Sequence, residues 1–278
     1  MSPPATGGTH RRAAVLGSPI AHSKSPQLHL AAYRALGLPD WTYDRIECTA
    51  EQLPGVVGAM GPEWVGVSVT MPGKFAALEF ADERTQRAEL VGSANTLLHR
   101  NGGWRADNTD VDGVVGALAT ARPGEPADFA EVVVVGAGGT ARAAVVAASR
   151  VGARRVTVVA RDAAKAAPLL ELAGATGVPA RHCPFTEVGL REEIAVADAL
   201  ISTVPASAAA AYTGVLDRAP VLLDAVYNPW PTPLAAAVAA AGGTVISGLQ
   251  MLLHQAFAQV EQFTGRPAPK EVMAAALG

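Results

Sequence analysis

Apolar and polar positions along this chain fall into short blocks that switch between a strand period and a helix period. RAAVLGSPI from Arg12, residues 42–48 and WVGVSVTMP (64–72) read as strands, the last with Val65, Val67 and Val69 on alternate positions. A helix is expected from near Pro26 and another over 74–91, ending before Gly92. NTLLH, an Asn101-Gly102-Gly103 turn and WRA spell a hairpin. Four consecutive valines, 132–135, do not alternate, as expected of a strand covered by helices on both faces. RRVTVVAR (154–161), 178–182, 199–203, 221–225 and 244–246 continue a strand–helix rhythm. From Gly248 the pattern is helical through Phe263, and a short helix fits 269–277. The rhythm predicts an α/β protein: one α/β domain over residues 1 to about 109, then a doubly wound sheet. Residues 1–11 read as a disordered lead, and ARPGEPADFA (121–130) as a linker rich in Pro and Gly.

The stretch EVVVVGAGGTARAA (131–144) organises the second half. Gly136, Gly138 and Gly139 break the valine strand, and an Ala-rich run from Thr140 to Arg150 has good helix propensity. The pattern G-x-G-x-x-A is the alanine-ended form of the dinucleotide fingerprint. Gly136 allows the tight turn, Gly138 lets backbone approach a pyrophosphate, and Ala141 keeps helix and strand close. The N–H groups of the new helix would face the phosphates. A glycine trio also serves purely structural turns; the flanking strand and helix favour nucleotide binding.

Composition narrows the function classes. A net charge of −3 carries no basic excess and argues against nucleic acid as partner. Half the residues are hydrophobic, enough for a real core. Cys48 and Cys183 form no metal or redox motif, which suits a reduced, cytoplasmic setting. The N-terminal MSPPATGGTHRR lacks the apolar core of a signal peptide. Ala-rich runs such as 234–241 are too short to span a bilayer, so no membrane role is expected.

Several polar clusters stand at strand ends. In GSPIAHSKSPQLH (17–29), Ser23 and Ser25 alternate around Lys24, so an extended turn would aim both hydroxyls at a small oxyanion. The competing reading is a simple helix cap before Pro26. Thr70 and Lys74 follow the third strand, where loops of open α/β sheets meet ligands, although a lone lysine is more often solvated surface. Asn95 lies between two short strands, and Asp110 stands where a helix N-cap belongs. Tyr227 and Asn228 come just past a strand. Gly248, Met251, Leu252 and Gln255 share one helical face, where a polar Gln255 is either a satisfied core amide or a ligand contact. His22, His29 and His254 lack the spacing of metal ligands, and no metal is expected.

Taken in order, GSPIAHSKSP, VTMPGK, GSANTL, DNTDVDG, GAGGTARA, YNPWPTPL and GLQMLLHQA resemble the shikimate dehydrogenase family over nearly the whole chain. The resemblance implies reversible NADPH-dependent reduction of 3-dehydroshikimate to shikimate, in the route to chorismate and aromatic amino acids. It implies a substrate domain of residues 1–109, completed by the C-terminal helices 247–278, and a Rossmann NADP-binding domain of 110–246, with a cleft between them. Ser23 and Ser25 would hold the substrate carboxylate, with Tyr227 nearby. Thr70, Asn95 and Gln255 would meet ring hydroxyls, and Lys74 and Asp110 would form the catalytic pair. Ser68, another substrate-site position, departs from the pattern: many members carry Asn there, and the shorter side chain would loosen one contact. Leu30 also replaces a frequent Asn. The cofactor set by resemblance is Gly136, Ala137, Gly138, Gly139, Thr140, Ala141, Ala160, Arg161, Lys165, Thr203, Gly248, Met251 and Leu252. Members of this kind occur as monomers and homodimers.

Cofactor choice rests on the end of the second nucleotide strand, VVARD. An acidic residue there bonds the ribose hydroxyls of NAD, whereas an Arg accommodates the 2′-phosphate of NADP. Arg161 and Asp162 are both in place. By resemblance Arg161 meets the phosphate, Lys165 adds a second cation, and Asp162 caps the following helix, which favours NADP. Two rival readings are an NAD-preferring quinate/shikimate dehydrogenase and a catalytically dead NADP(H)-sensing module. The retention of Lys74, Asp110, Asn95 and both serines speaks against the second.

Overall fold

The computed structural model describes residues 10–126 and 128–277. The expected lead therefore lies, up to residue 9, outside the described residues, and Arg11 already belongs to the first strand. In chain order the elements are β1 (Arg11–Gly17), α1 (Ser25–Ala35), β2 (Trp41–Glu47), α2 (Leu53–Gly58), β3 (Trp64–Val69), α3 (Lys74–Phe80), β4 (Glu83–Arg84), α4 (Gln86–Val91), β5 (Thr96–Arg100), β6 (Gly103–Asp107) and α5 (Asp110–Ala119). There follow β7 (Glu131–Val135), α6 (Gly139–Arg150), β8 (Arg155–Ala160), α7 (Ala163–Ala175), β9 (Ala180–Pro184), α8 (Glu187–Val196), β10 (Ala199–Ser202), α9 (Ala206–Ala210) and α10 (Thr213–Leu216). The chain closes with β11 (Val221–Asp224), α11 (Pro233–Ala240), β12 (Thr244–Ser247), α12 (Gly248–Thr264) and α13 (Lys270–Ala275). Among the described residues no helix is long and apolar enough to cross a membrane.

The chain divides into two compact units. The first takes the chain up to Glu89, Ser93–Thr109 and the residues from Ala256; the second takes Leu90–Gly92 and Asp110–Gln255. The division falls inside α12. The segment 121–130, expected as a linker, joins α5 to β7 within the second unit.

The first unit holds a mixed sheet in the order β2-β1-β3-β5-β6-β4. Its strands alternate between two cores. Ala14, Leu16, Val67 and Leu97 pack with Leu53, Val57 and Ala77 on one face; Ala13, Val15, Tyr43 and Leu98 pack with Tyr33 and Phe263 on the other. The hairpin turns through Asn101 (φ 52) and Gly102 (φ 80), the positive pair that a tight two-residue turn requires.

The single helix expected over 74–91 is broken in two. After α3 the backbone extends at Ala81 (φ −68, ψ 138), and Glu83 and Arg84 pair with Arg105 and Ala106 as an edge strand. Asp82 accepts a hydrogen bond from Trp104 N at 2.8 Å, and Thr85 Oγ1 accepts one from Ala88 N at 3.0 Å, starting α4. Ala77, Ala81 and Ala88 all enter one core, so hydrophobic periodicity carried no mark of the break.

The second unit is an all-parallel sheet, β12-β11-β10-β7-β8-β9, whose halves leave β7 in opposite directions, the doubly wound arrangement. Val132 and Val134 enter a core with α5, α6 and α7; Val133 and Val135 enter a second with α8, α10 and α11. Burying each valine contributes about 1.5 kcal/mol or more, so both faces demand an apolar residue and the run cannot alternate. The strand expected at 178–182 lies two residues later, because Pro179 O accepts from Val156 N and pairing starts at Ala180.

Candidate active site

Strand direction gathers distant residues at one end of the first sheet. β1 and β3 run parallel and β5 runs antiparallel to β3, so the ends of the first two lie beside the start of the third. Thr70 N donates to Leu16 O at 2.8 Å, and Val69 N donates to Asn95 O at 2.7 Å. A Cβ on Gly17 would stand 2.3 Å from Thr70 Cγ2, so only glycine lets β1 and the loop after β3 approach this closely. Ser23, Ser25, Ser68, Thr70, Lys74 and Asn95 thereby come to that end of the sheet.

Ser23 and Ser25 are both buried. The extended turn expected around them does not form, because Ser25 already opens α1 with Pro26 behind it. Ser23 Oγ accepts from Ser25 N at 3.3 Å, and the Arg45 guanidinium grips the Ser23 carbonyl through Nε (2.9 Å) and Nη2 (2.6 Å). Lys24 occupies the cap position and makes no side-chain cap bond. Lys74 is half-buried at the start of α3, where its carbonyl accepts from Ala94 N at 2.9 Å.

Ser68 is buried and engaged on two sides: its Oγ accepts from Tyr43 OH at 2.6 Å and donates to Gln259 Oε1 at 2.7 Å. Burial pushes the Tyr43 phenol above its ordinary value, partly offset by the hydroxyls of Ser68 and Ser25. Asn95 is held by Thr109, whose backbone N donates to Oδ1 at 2.8 Å and whose Oγ1 accepts from Nδ2 at 2.9 Å. Next to it, burial works against ionisation of Asp107, but Arg87 and Thr85 hold its carboxyl below the usual value, and Gln262 adds a bond at 2.8 Å.

The second unit carries the remaining candidates. Asp110 is buried and opens α5 itself, so it stands in the first turn beside Thr109 rather than at the cap position. An acidic residue there is favoured by the helix dipole. Tyr227 is half-buried on the loop after β11. That loop is pinned by Asp224, which accepts from Val226 N at 3.1 Å and Thr232 Oγ1 at 2.7 Å. Burial raises the Asp224 carboxyl above its ordinary value against these two bonds. Gln255 is buried on α12 and donates to Leu252 O at 2.8 Å.

A cavity of about 610 Å³ opens at the C-terminal ends of β7 and β8, where the two halves of the sheet diverge. Gly136, Ala137, Ala160, Arg161 and Lys165 line it. Gly136 has φ +120, and a Cβ there would stand 2.3 Å from Thr203 Oγ1, so the turn requires glycine. Thr203 holds the end of β10 to β7, giving N–H and Oγ1–H to Val135 O at 2.9 and 2.8 Å. Gly138 precedes α6 with open space where a Cβ would be, as close backbone approach by a ligand needs. Ala141 is fully buried in the core below. Gly138, Gly139, Thr140, Thr203, Gly248, Met251 and Leu252 are not among the lining residues, and Met251 sits in the core with Ile246.

The same wall contains residues that no motif announced: Phe185 after β9 and Tyr212 between α9 and α10, edge to face with ring centroids 4.3 Å apart. Each stands alone in its local sequence, so only the fold shows that they share a cavity. In the first unit Tyr43 and Gln259 were missed likewise, although Gln259 lies one turn beyond Gln255 on the same helix. The residues present fit a phosphorylated dinucleotide. The cavity lies beside a helix N-terminus, and Arg161, Asp162 and Lys165 all line it, with Asp162 Oδ1 engaged by Ala164 N at 2.9 Å. Among the described residues no three His, Cys, Asp or Glu side chains gather as a metal ion would require.

Comparison with known proteins gives this geometry a family. The shikimate dehydrogenase substrate binding domain matches residues 15–97, shikimate / quinate 5-dehydrogenase matches 118–220, and the shikimate 5′-dehydrogenase C-terminal domain matches 248–277. The crystal structure of Mycobacterium tuberculosis shikimate dehydrogenase is similar with a TM-score of 0.91 at 66% identity, covering 96% of this chain and 98% of that one. A Thermus thermophilus shikimate 5-dehydrogenase solved with NADP(H) and shikimate has a TM-score of 0.79 at 30% identity, covering 96% and 98%. The shikimate dehydrogenase (NADP(+)) of Caulobacter vibrioides is 38% identical over 92% of this chain and 90% of its own length. With identity of that order along nearly the full length of both proteins, the chain belongs to the shikimate dehydrogenase family.

Proposed function

We propose that Lys74 and Asp110 handle the proton in the reaction of this chain, the reversible NADPH-dependent reduction of 3-dehydroshikimate to shikimate. The chain is an oxidoreductase, and NADP(H) is its cofactor. NADPH, when bound, supplies the hydride that adds to the ring carbonyl carbon. As negative charge builds on the carbonyl oxygen, the Lys74 ammonium gives it a proton; in the oxidative direction the Lys74 amine takes the proton from the hydroxyl. Asp110 orients Lys74 and accepts from the neighbouring ring hydroxyl. Ser23 and Ser25 hold the carboxylate, with Tyr227 beside them. Thr70, Asn95 and Gln255 bind ring hydroxyls.

The observation that supports this assignment most is the convergence of two buried serines, Thr70, Lys74 and Asn95 at one end of the sheet from stretches far apart in the chain. Hydroxyls and an amide suit a small polyhydroxy acid, and the Lys74 ammonium among them suits proton transfer. Arg161 and Lys165 on the nucleotide cavity favour NADP over NAD, as does the turn of Asp162 onto its own helix. A kinetic assay with purified protein is the test: shikimate should drive reduction of NADP faster than of NAD, and quinate should be a poor substrate. Comparable rates with NAD and quinate would replace the reading with a quinate/shikimate dehydrogenase.

A further inference from the structure

We propose that Gln259 is a positioning residue that sets the amide of Asn95 for substrate binding, and that Ser68 acts through Gln259 rather than on the substrate. The inference rests on the assignment of Asn95 as a substrate contact. Gln259 is 1% exposed, reaches from α12 into the first sheet, and bonds on both sides of its amide. Its Nε2 donates to Asn95 O at 3.1 Å and to Thr96 Oγ1 at 2.8 Å; its Oε1 accepts from Ser68 Oγ at 2.7 Å. A carbonyl can only accept, so Asn95 O fixes which end of the Gln259 amide faces it. The oxygen must then face Ser68.

Every hydrogen along the chain of side chains follows from that one constraint. Ser68 has a single hydroxyl hydrogen, and it is committed to Gln259, so Ser68 accepts from Tyr43, 2.6 Å away. Thr96 accepts from Gln259 and gives its own hydrogen to Asn95 Oδ1 at 2.8 Å. The Thr109 backbone N–H independently requires an oxygen at that end of Asn95, 2.8 Å away. Two backbone groups, Asn95 C=O and Thr109 N–H, thus anchor a one-way chain running Tyr43 to Ser68 to Gln259, and Gln259 to Thr96 to Asn95. Ser68 has no second hydrogen to give to a carboxylate or a ring oxygen, and one lone pair is all that it has left to offer a ligand. Gln259 holds Asn95 twice, through its backbone carbonyl and through Thr96, and so shares with Thr109 the setting of the amide.

The test is a kinetic double-mutant cycle between Gln259→Met, which keeps the length and removes the amide, and Asn95→Ala. Gln259→Met should raise the KM for shikimate about 5- to 30-fold, the loss of one or two neutral hydrogen bonds, and change the KM for NADP by less than about twofold. In the Asn95→Ala background it should add less than about twofold, because the group it positions is gone. Ser68→Ala should show the same dependence on Asn95 with a smaller effect, and Ser68→Thr, which keeps the hydroxyl, should restore the wild-type KM. Should Gln259→Met fail to fold, Ser68→Ala against Asn95→Ala closes an equivalent cycle. Equal factors in both backgrounds, or no effect of either variant while Asn95→Ala is impaired, would overturn the proposal. An Asn95→Ala enzyme with unchanged KM would instead remove the substrate assignment of Asn95, and the proposal with it.

Discussion

Asp162 Oδ1 accepts a hydrogen bond from Ala164 N at 2.9 Å, so the one carboxylate at the end of β8 caps α7. Arg161 beside it lines the nucleotide cavity with Lys165. A guanidinium–phosphate contact is charge-assisted and planar, and its loss is strongly felt. Arg161→Ala should raise the KM for NADPH roughly 10- to 100-fold, from about 1.5–3 kcal/mol per charged hydrogen bond. Kinetics with NADH should barely change, since NADH carries no 2′-phosphate. Equal losses with both cofactors would assign Arg161 to the fold instead.

Lys74→Ala should keep the fold and NADPH binding but lower kcat by about 10²- to 10⁴-fold, the usual contribution of a general acid–base group. Steady-state kinetics, a thermal melt and NADPH titration on the same preparation check it. Turnover within about threefold of wild type would remove Lys74 from proton transfer. Asp110→Ala needs the same melt, because it opens α5 and its loss weakens the helix start.

Ser23→Ala and Ser25→Ala should act mainly on the KM for shikimate, because a carboxylate remote from the reacting carbon contributes binding to ground and transition states alike. Each lost bond to the charged group should cost on the order of 1.5–3 kcal/mol. An unchanged KM in both variants would leave Ser23 as the local support for Ser25 N that its 3.3 Å bond describes.

His29 is fully buried and lies flat on Tyr43, ring centroids 4.0 Å apart, with neither ring nitrogen in a well-formed hydrogen bond. Burial lowers its imidazole from 6.5 to about 3, with Gln259 offsetting only part of the shift. A lowered pKa means that the unfolded chain binds the proton first. The stability is complete above 6.5 and is lost as pH falls toward 3. The slope from this one group should be about 1.4 kcal/mol per pH unit. Urea unfolding of His29→Phe between about pH 4.5 and 7 should show that much less acid dependence than wild type. Identical slopes would mean that other groups govern acid unfolding.

Strand order and local chemistry were unequally legible. The valine run, the fingerprint turn and the Asn101-Gly102 hairpin signal were sound because each is decided by a few adjacent residues: two-sided burial, a positive φ, a tight turn. The break between α3 and α4 was not, because pairing of Glu83 and Arg84 with β6 and capping by Thr85 leave the apolar period intact. Ser68 marks the same limit within the site. From sequence it was a shortened substrate contact; in the structure its hydrogen is committed to Gln259.

By itself the sequence determined the α/β class, the alternation of the main strands and helices, the nucleotide turn and the motif-borne candidates, since backbone propensity, burial period and turn chemistry act over windows of a few residues. Tertiary structure alone decided which side chains meet. Ser68 and Gln259 stand 191 positions apart, and Phe185 joins Tyr212 at a cavity wall from separate elements. Such pairings depend on strand direction and helix docking, which are settled by the burial of whole faces, and no local residue pattern records which two polar groups that burial will leave within hydrogen-bond reach.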